Sequence, residues 1–369
     1  MPKAKETVLE IDLAALEHNY RYFKSRIKPE TQFMGVVKAF AYGSDSVAIA
    51  KKLQELGANY LAVAYVKEGV TLRKAGITIP ILVLHPLPVS FKKLIKHCLE
   101  PNLYSEKILH EFLEAAHKLG QKNYPVHLKF NTGLNRLGFK EDEVVKVCKL
   151  VKAKEQIQVK SIFSHLAASE DLNEKAFTEG QIKAFDRIYS QMTDILQEKL
   201  FRHLLNTSGI INYPDAQYEL VRSGIGLYGY GNEAAIDRHL RPVAQLKTII
   251  SQIHTISAGE TIGYNRKFKS DSVKISATLP VGHADGIGRQ YGNGKGFVII
   301  NGKKALILGN VCMDMIMVDV SDIECKAGDE VIVFGGVASA EDFAKEAGTI
   351  SYELLTGISQ RVKRKILSK

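Results

Sequence analysis

Cysteine is scarce in this chain. Cys98, Cys148, Cys312 and Cys325 are scattered through 369 residues, and no two form a Cys-x-x-Cys pair. That spacing argues against a zinc site or a disulfide framework and suits a reducing compartment. Long apolar runs are also missing, and none approaches the ~20 residues that a membrane-spanning helix needs. The opening Met1-Pro2-Lys3-Ala4-Lys5-Glu6 carries charge with no apolar stretch behind it, so it does not read as a secretory signal. The expectation is a cytoplasmic protein that neither crosses a membrane nor binds a structural metal. Internal repeats and low-complexity segments are absent.

The charge that is present is basic, +10 overall. Its lysines are spread out, as in Lys51-Lys52, Lys92-Lys93 and Lys152 with Lys154, and the only close cluster is the tail Arg361 to Lys369. A solvated basic surface explains that pattern better than a nucleic-acid interface, which needs a continuous patch. With 45% apolar and 24% charged residues the chain is globular rather than disordered. Its length fits two domains.

Short apolar runs alternate with amphipathic segments over the first two-thirds. The runs are Phe33-Val37, Tyr60-Ala64, Ile79-Leu84, Leu99-Leu103, Val126-Phe130, Val159-Phe163, Leu204-Leu205 and Leu220-Val221. Between them lie helical spacings such as Leu13, Leu16, Tyr20, Phe23 and Ile27, with Asp12 placed to cap the first helix and Asp45 or Ser44 the next. Strand-helix alternation implies parallel pairing. No Gly-x-Gly-x-x-Gly follows the first run, so a TIM-type (β/α)8 barrel fits better than an open dinucleotide-binding sheet. After about residue 240 the texture turns to strands: Val243-Ile253, Val273-Leu279, Phe297-Ile300, Ala305-Leu308 and Val331-Phe334, with Asn301-Gly302 as a hairpin turn. The expected fold is α/β, a barrel over 1–235 followed by a mostly β domain over 236–369.

Several strand ends carry chemistry. Lys38 ends the first run, just before Tyr42-Gly43, where a barrel places its active site. A lysine in a dry, electropositive site loses its proton and can condense with an aldehyde. Thr207-Ser208-Gly209 and Arg222-Ser223-Gly224-Ile225 follow the last two runs, where barrels commonly hold a phosphate. Lys129 and Arg136 bracket the Val126-Phe130 strand end, and His165 follows Val159-Phe163. Taken singly, each has an ordinary structural reading. Together they bring cationic and aromatic groups to one mouth.

These segments resemble the alanine racemase family over nearly the whole chain. The resemblance rests on Val36-Val37-Lys38-Ala39 with Ala41-Tyr42-Gly43, Leu128-Lys129 with Thr132-Gly133 and Arg136-Leu137-Gly138, and Val221-Arg222 with Gly224-Ile225. It continues through Ala284-Asp285-Gly286, Cys312-Met313-Asp314 and Ile350-Ser351-Tyr352-Glu353. It implies pyridoxal 5'-phosphate (PLP) as cofactor, an amino-acid substrate, and a homodimer whose β domain completes the partner's site. By the same resemblance Lys38 holds PLP, while Tyr42, Thr207, Gly224, Ile225 and Tyr352 bind its phosphate. Arg222 faces the pyridine nitrogen, and His165 lies behind the cofactor. Tyr264, within Ile262-Gly263-Tyr264, is the second catalytic group, assisted by Arg289. Arg136 and the backbone of Met313 lie near the substrate carboxylate, with Asp314 beside them. Lys129 matches a lysine that is carbamylated in some members, where it steadies Arg136. Phe40 stands where the family usually has asparagine, Ser44-Asp45 replaces His-Gly, Asn131 replaces an aspartate, and His283 replaces a tyrosine at the substrate entrance.

The implied reaction is racemisation of L- and D-alanine, which supplies D-alanine for peptidoglycan. A cation beside the pyridine nitrogen keeps the ring a weak electron sink, and inversion needs one proton-transfer group on each face, here Lys38 and Tyr264. Tyrosine ordinarily titrates near ~10, so a neighbouring cation such as Arg289 is required. Rival readings are a racemase for serine or another small amino acid, a PLP-dependent decarboxylase, and a non-enzymatic PLP-binding protein. Decarboxylases of this architecture pair the pyridine nitrogen with an acid, which conflicts with Arg222. Single-barrel PLP-binding proteins lack the half that carries Tyr264.

Overall fold

The structure, a computed structural model, describes residues 4–367 except 153 and 232. After β1 (Val8–Asp12), the first half lays down β2 (Gln32–Val36), β3 (Tyr60–Val63), β4 (Ile81–Val83), β5 (Glu100–Leu103), β6 (Tyr124–Lys129), β7 (Ile157–Phe163), β8 (Phe201–His203) and β9 (Leu220–Ser223). β2 to β9 form a sheet in the order β8-β7-β6-β5-β4-β3-β2-β9, and every pair in it is parallel. Its ends nearly close on one another, because the Arg222 amide donates to the Leu205 carbonyl at 3.0 Å. This is the TIM-type barrel.

Local chemistry sets the helices that wrap it. Asp12 accepts from the Ala14 and Ala15 amides at 2.8 and 2.9 Å and starts the helix Leu13–Lys24, whose Leu16, Tyr20 and Phe23 are buried. Asp45, not Ser44, caps Ser46–Glu55 through Val47 and Ala48. The seventh apolar run is displaced. Leu204-Leu205 lies beyond the strand, which is Phe201–His203. Its His203 faces a polar barrel interior, so hydrophobicity does not mark it.

The second half is mostly β. It contains β10 (Ala244–Ile249), β11 (Gln252–Ile256), β12 (Thr261–Ile262), β13 (Phe268–Lys269), β14 (Lys274–Leu279), β15 (Phe297–Ile300), β16 (Lys303–Leu308), β17 (Ile316–Asp319), β18 (Glu330–Phe334) and β19 (Lys363–Leu367). The main sheet runs β11-β14-β17-β16-β15-β18-β10-β1-β19. Val243-Ile253 is thus part of two strands, broken at Ile250-Ser251. Asn301 and Gly302 join β15 to β16 with φ of 48° and 79°, the left-handed pair a tight hairpin requires. β1, though it opens the chain, lies in this sheet, antiparallel to β10 and parallel to β19.

That insertion of β1 is fastened by a buried ion cluster. The Glu10 carboxylate is only 2% exposed and meets Lys247 Nζ at 2.9 Å and Lys365 Nζ at 2.8 Å. Burial raises its pKa, but the two lysines more than offset that and hold it below the usual carboxylate range. A lowered folded-state pKa gives stability that is present above the unfolded value and is lost as pH falls through the folded one. Glu10→Gln should therefore cost about 3 kcal/mol at neutral pH, because it strands two lysines around a buried position. The penalty should shrink under acid conditions, where the wild-type carboxylate also takes a proton. Urea unfolding at about pH 7 and about pH 3.5 checks this; an equal penalty at both would contradict it.

Candidate active site

Lys38 ends the first barrel strand and opens an unusual turn. Ala39, Phe40, Ala41 and Tyr42 have φ of 52°, 56°, 53° and 54°, and Gly43 follows at 78°. This is one turn of left-handed helix built largely from residues with a Cβ, which costs roughly 1–2 kcal/mol per residue. The surroundings hold it in place. At its start Glu68 accepts from the Ala39 amide at 2.7 Å and from the Ala64 and Tyr65 amides at 2.7 and 3.0 Å. At its end Arg364, on β19, donates to the Gly43 carbonyl at 2.9 Å. A Cβ at Gly43 would sit 1.9 Å from the Leu355 oxygen, so only glycine fits against the second domain there. The turn aims Tyr42 inward, stacked on Tyr228 at 4.5 Å with Tyr352 at 6.0 Å.

Lys38 opens into a cavity of about 970 Å³ at the C-terminal ends of the barrel strands. Its wall gathers cations. Burial and the Arg136 charge lower the Lys38 pKa. Burial, Arg136, Arg222 and Lys38 bring Lys129 down to about 8. Burial and the neighbouring cations push His165 well below its usual range, so it is a neutral imidazole. Its Nδ1 accepts from Arg222 at 3.3 Å, which leaves the proton on Nε2. An enclosure of this kind suits an anionic ligand.

Arg222 forms the floor. It is buried, and burial lowers its pKa to about 9. Nη1 donates to His203 Nδ1 at 2.6 Å and the His203 carbonyl at 2.9 Å. Nη2 donates to the Ser164 and Leu204 carbonyls at 2.7 and 2.9 Å. These partners are all uncharged, and Nε takes part in none of these bonds. Beside it, Thr207 Oγ1 accepts from the Gly224 and Gly226 amides at 3.2 and 3.3 Å, which ties together the loops after β8 and β9. A Cβ at Gly224 would lie 2.3 Å from the Tyr42 hydroxyl, so the glycine keeps a small cradle open.

A second group of residues lies on the β domain. Tyr264 is 70% exposed and Met313 59%. The Tyr264 carbonyl accepts from Asn310 at 3.2 Å. The His283 and Ala284 amides bond the Cys312 and Met313 carbonyls, each at 3.0 Å. Arg289 is close enough for its charge to act on the Cys312 thiol. Arg361 bridges Asp285 at 2.8 Å and Asp314 at 2.7 Å. The cavity is lined by Lys38, Tyr42, Lys129, Arg136, His165, Thr207, Arg222, Gly224, Ile225 and Tyr352, but by none of Tyr264, His283, Arg289, Met313 or Asp314.

Comparison with known proteins covers both halves of the chain. The family model described as alanine racemase, N-terminal domain, matches residues 11–232, and that for the C-terminal domain matches 243–366. The chain belongs to the alanine racemase family. "Alanine racemase 1" of Clostridium acetobutylicum is 39% identical over 368 residues, covering 96% of this chain and 94% of the relative. The alanine racemase of Clostridium difficile 630 superposes with a TM-score of 0.92 at 34% identity, covering 100% of this chain and 97% of that one. The alanine racemase of Bartonella henselae, solved with covalently bound pyridoxal phosphate, gives 0.90 at 30% identity and covers 99% and 100%.

The family is PLP-dependent, and the cavity of this racemase fits that cofactor. It offers a half-buried lysine, cations for an anionic ligand, a cradle at Gly224 and an arginine floor with no acid bonded to it. Sequence reasoning gave no role to Glu68 or to the polar barrel interior behind Arg222. A glutamate at the third position of Val66–Lys74, directly after a strand, is a capping signal that could have marked Glu68. Asn131 does not touch Lys129 by hydrogen bonding; its Oδ1 accepts from the Gly133 and Asn135 amides at 3.2 and 2.9 Å and shapes the loop that carries Arg136.

Gly224→Ala should weaken PLP binding by about tenfold or more, because the methyl group must displace the Tyr42 hydroxyl. Spectroscopic titration of cofactor-free protein measures this, and unchanged affinity would remove Gly224 from the cradle. In the same protein, 13C-methylated lysine spectra should show Lys129 losing its proton near about 8. A Lys129 titration near the ordinary lysine value would deny the cationic field.

Proposed function

We propose that this chain interconverts L-alanine and D-alanine with PLP as cofactor. The observation that carries the reading is Arg222, a buried guanidinium bonded only to uncharged partners, at the floor of a cavity that also holds Lys38. When bound, PLP supplies an aldehyde for an amine and a conjugated ring that spreads the charge left by a departing α-proton. Arg222, a donor at that floor, would leave the pyridine nitrogen without a proton. A carboxylate would do the opposite, and this separates the site from the decarboxylase reading. Tyr42, Thr207, Gly224, Ile225 and Tyr352 would hold the phosphate, and neutral His165 would lie behind the ring. Arg136 takes the substrate carboxylate.

Inversion needs a proton donor and acceptor on each face. Lys38 Nζ, with its pKa depressed by burial and Arg136, moves the proton on one face. Tyr264 Oη moves it on the other, with Arg289 beside it. Tyr264 is outside the Lys38 cavity of its own chain, so the active unit is a homodimer in which Tyr264 of the partner subunit, with Met313 and His283, closes the cavity. The expected setting is the cytoplasm, where D-alanine feeds peptidoglycan synthesis.

Incubation with L-alanine and PLP should give equal amounts of the two enantiomers. Serine, run alongside, tests substrate breadth. Lys38→Ala and Tyr264→Phe should each abolish racemisation, and co-refolding the two inactive variants should restore partial activity, since a mixed dimer keeps one intact site. Inactive but verified mixed dimers would place both groups within one chain.

A further inference from the structure

Behind Arg222 lies a continuous line of buried side chains, one from each strand from β9 back to β5. Arg222 Nη1 meets His203 Nδ1 at 2.6 Å. His203 Nε2 meets Ser161 Oγ at 2.9 Å, and Ser161 Oγ meets His127 Nδ1 at 2.6 Å. His127 Nε2 then meets Glu100 Oε2 at 2.7 Å. None of the five is more than 8% exposed. The family resemblance assigns nothing to His203, Ser161, His127 or Glu100.

With both imidazoles neutral and Glu100 ionised, the protons in this line take a single order. Arginine has donors and no acceptor, so His203 Nδ1 must accept. The imidazole proton is then on Nε2 and is donated to Ser161. Ser161, having accepted from His203, donates its own proton to His127 Nδ1. His127 therefore carries its proton on Nε2 and donates it to Glu100. All four bonds point the same way, from a cation to a carboxylate. Buried chains of this kind polarise one another. Burial, Arg222 and His127 hold His203 well below its ordinary pKa, in keeping with a neutral ring. Around the far end, Tyr60 hydrogen-bonds Glu100, and Arg73 and Tyr124 are near enough for its charge to act on them.

We propose that Glu100 is a positioning residue for Arg222: through His127, Ser161 and His203 it fixes the direction of hydrogen bonding across the barrel and holds the guanidinium as the charged, donating floor of the cofactor site. The carboxylate supplies the counter-charge that Arg222 lacks among its direct partners, without placing an acid at the pyridine nitrogen. The inference rests on the reading of Arg222 given above.

Two measurements on the holoenzyme test it. In 15N-histidine spectra, His203 and His127 should both be neutral with the proton on Nε2. A proton on Nδ1 of either ring, or a charged imidazolium, overturns the proposal. Glu100→Gln keeps the shape and removes the charge, while Ser161→Ala cuts the line midway. Each should lower kcat by about tenfold, in line with loss of one hydrogen bond to a charged group, with the KM for L-alanine changed by less than about twofold. The double variant should be no worse than the more impaired single variant, because both cut one path. Additive losses, or losses confined to KM, overturn the proposal. If the wild type failed to racemise alanine, the functional reading would fall, whereas the histidine spectra would still decide the proton order.

Discussion

A guanidinium inside a barrel is costly unless every donor is used and its charge is answered. Much of the architecture around Arg222 serves that requirement. Its amide bonds Leu205 across the seam where the parallel sheet nearly closes, and its Nη atoms hold the Ser164, His203 and Leu204 carbonyls at the ends of neighbouring strands. The same contacts that satisfy the charge fix the loops after β7, β8 and β9, which carry His165, Thr207 and Gly224. The floor of the site and the closure of the barrel are one structure.

The cationic wall follows from that floor. Lys129, Lys38 and His165 are each pushed toward the neutral form by burial and by the charge of Arg136, with Arg222 adding to the effect on Lys129 and His165. A neutral lysine at the end of β2 is the form that can condense with an aldehyde. The left-handed turn after Lys38 adds a mechanical constraint, clamped by Glu68 from the barrel and by Leu355 and Arg364 from the second domain. Both domains thus shape the lysine's position, although Tyr264 in the second domain lies outside the cavity of its own chain.

Much of this was legible in the sequence, and the gaps have physical causes. Parallel strands with apolar cores, such as Phe33-Val37 and Tyr60-Ala64, were readable because the barrel buries them. β8 was not, because His203 faces a polar interior and Arg202 on the opposite side pairs with Glu219, so neither is apolar. β1 escaped notice because its partners, β10 and β19, lie more than two hundred residues away. Lys38, Tyr42, Lys129, Arg136, His165, Thr207, Arg222, Gly224, Ile225 and Tyr352 could be grouped from strand-end motifs and family resemblance, and they share one cavity. Glu100, Ser161 and His127 could not be grouped with Arg222. Their link is a side-chain path around the barrel that no sequence spacing encodes.

The central claim is that Arg222 is a charged donor that leaves the cofactor's pyridine nitrogen without a proton. Reconstituting the protein with PLP labelled with 15N at that nitrogen, and recording its chemical shift across neutral pH, tests this directly. The account predicts the signal of an unprotonated, hydrogen-bonded nitrogen. A pyridinium signal would contradict it.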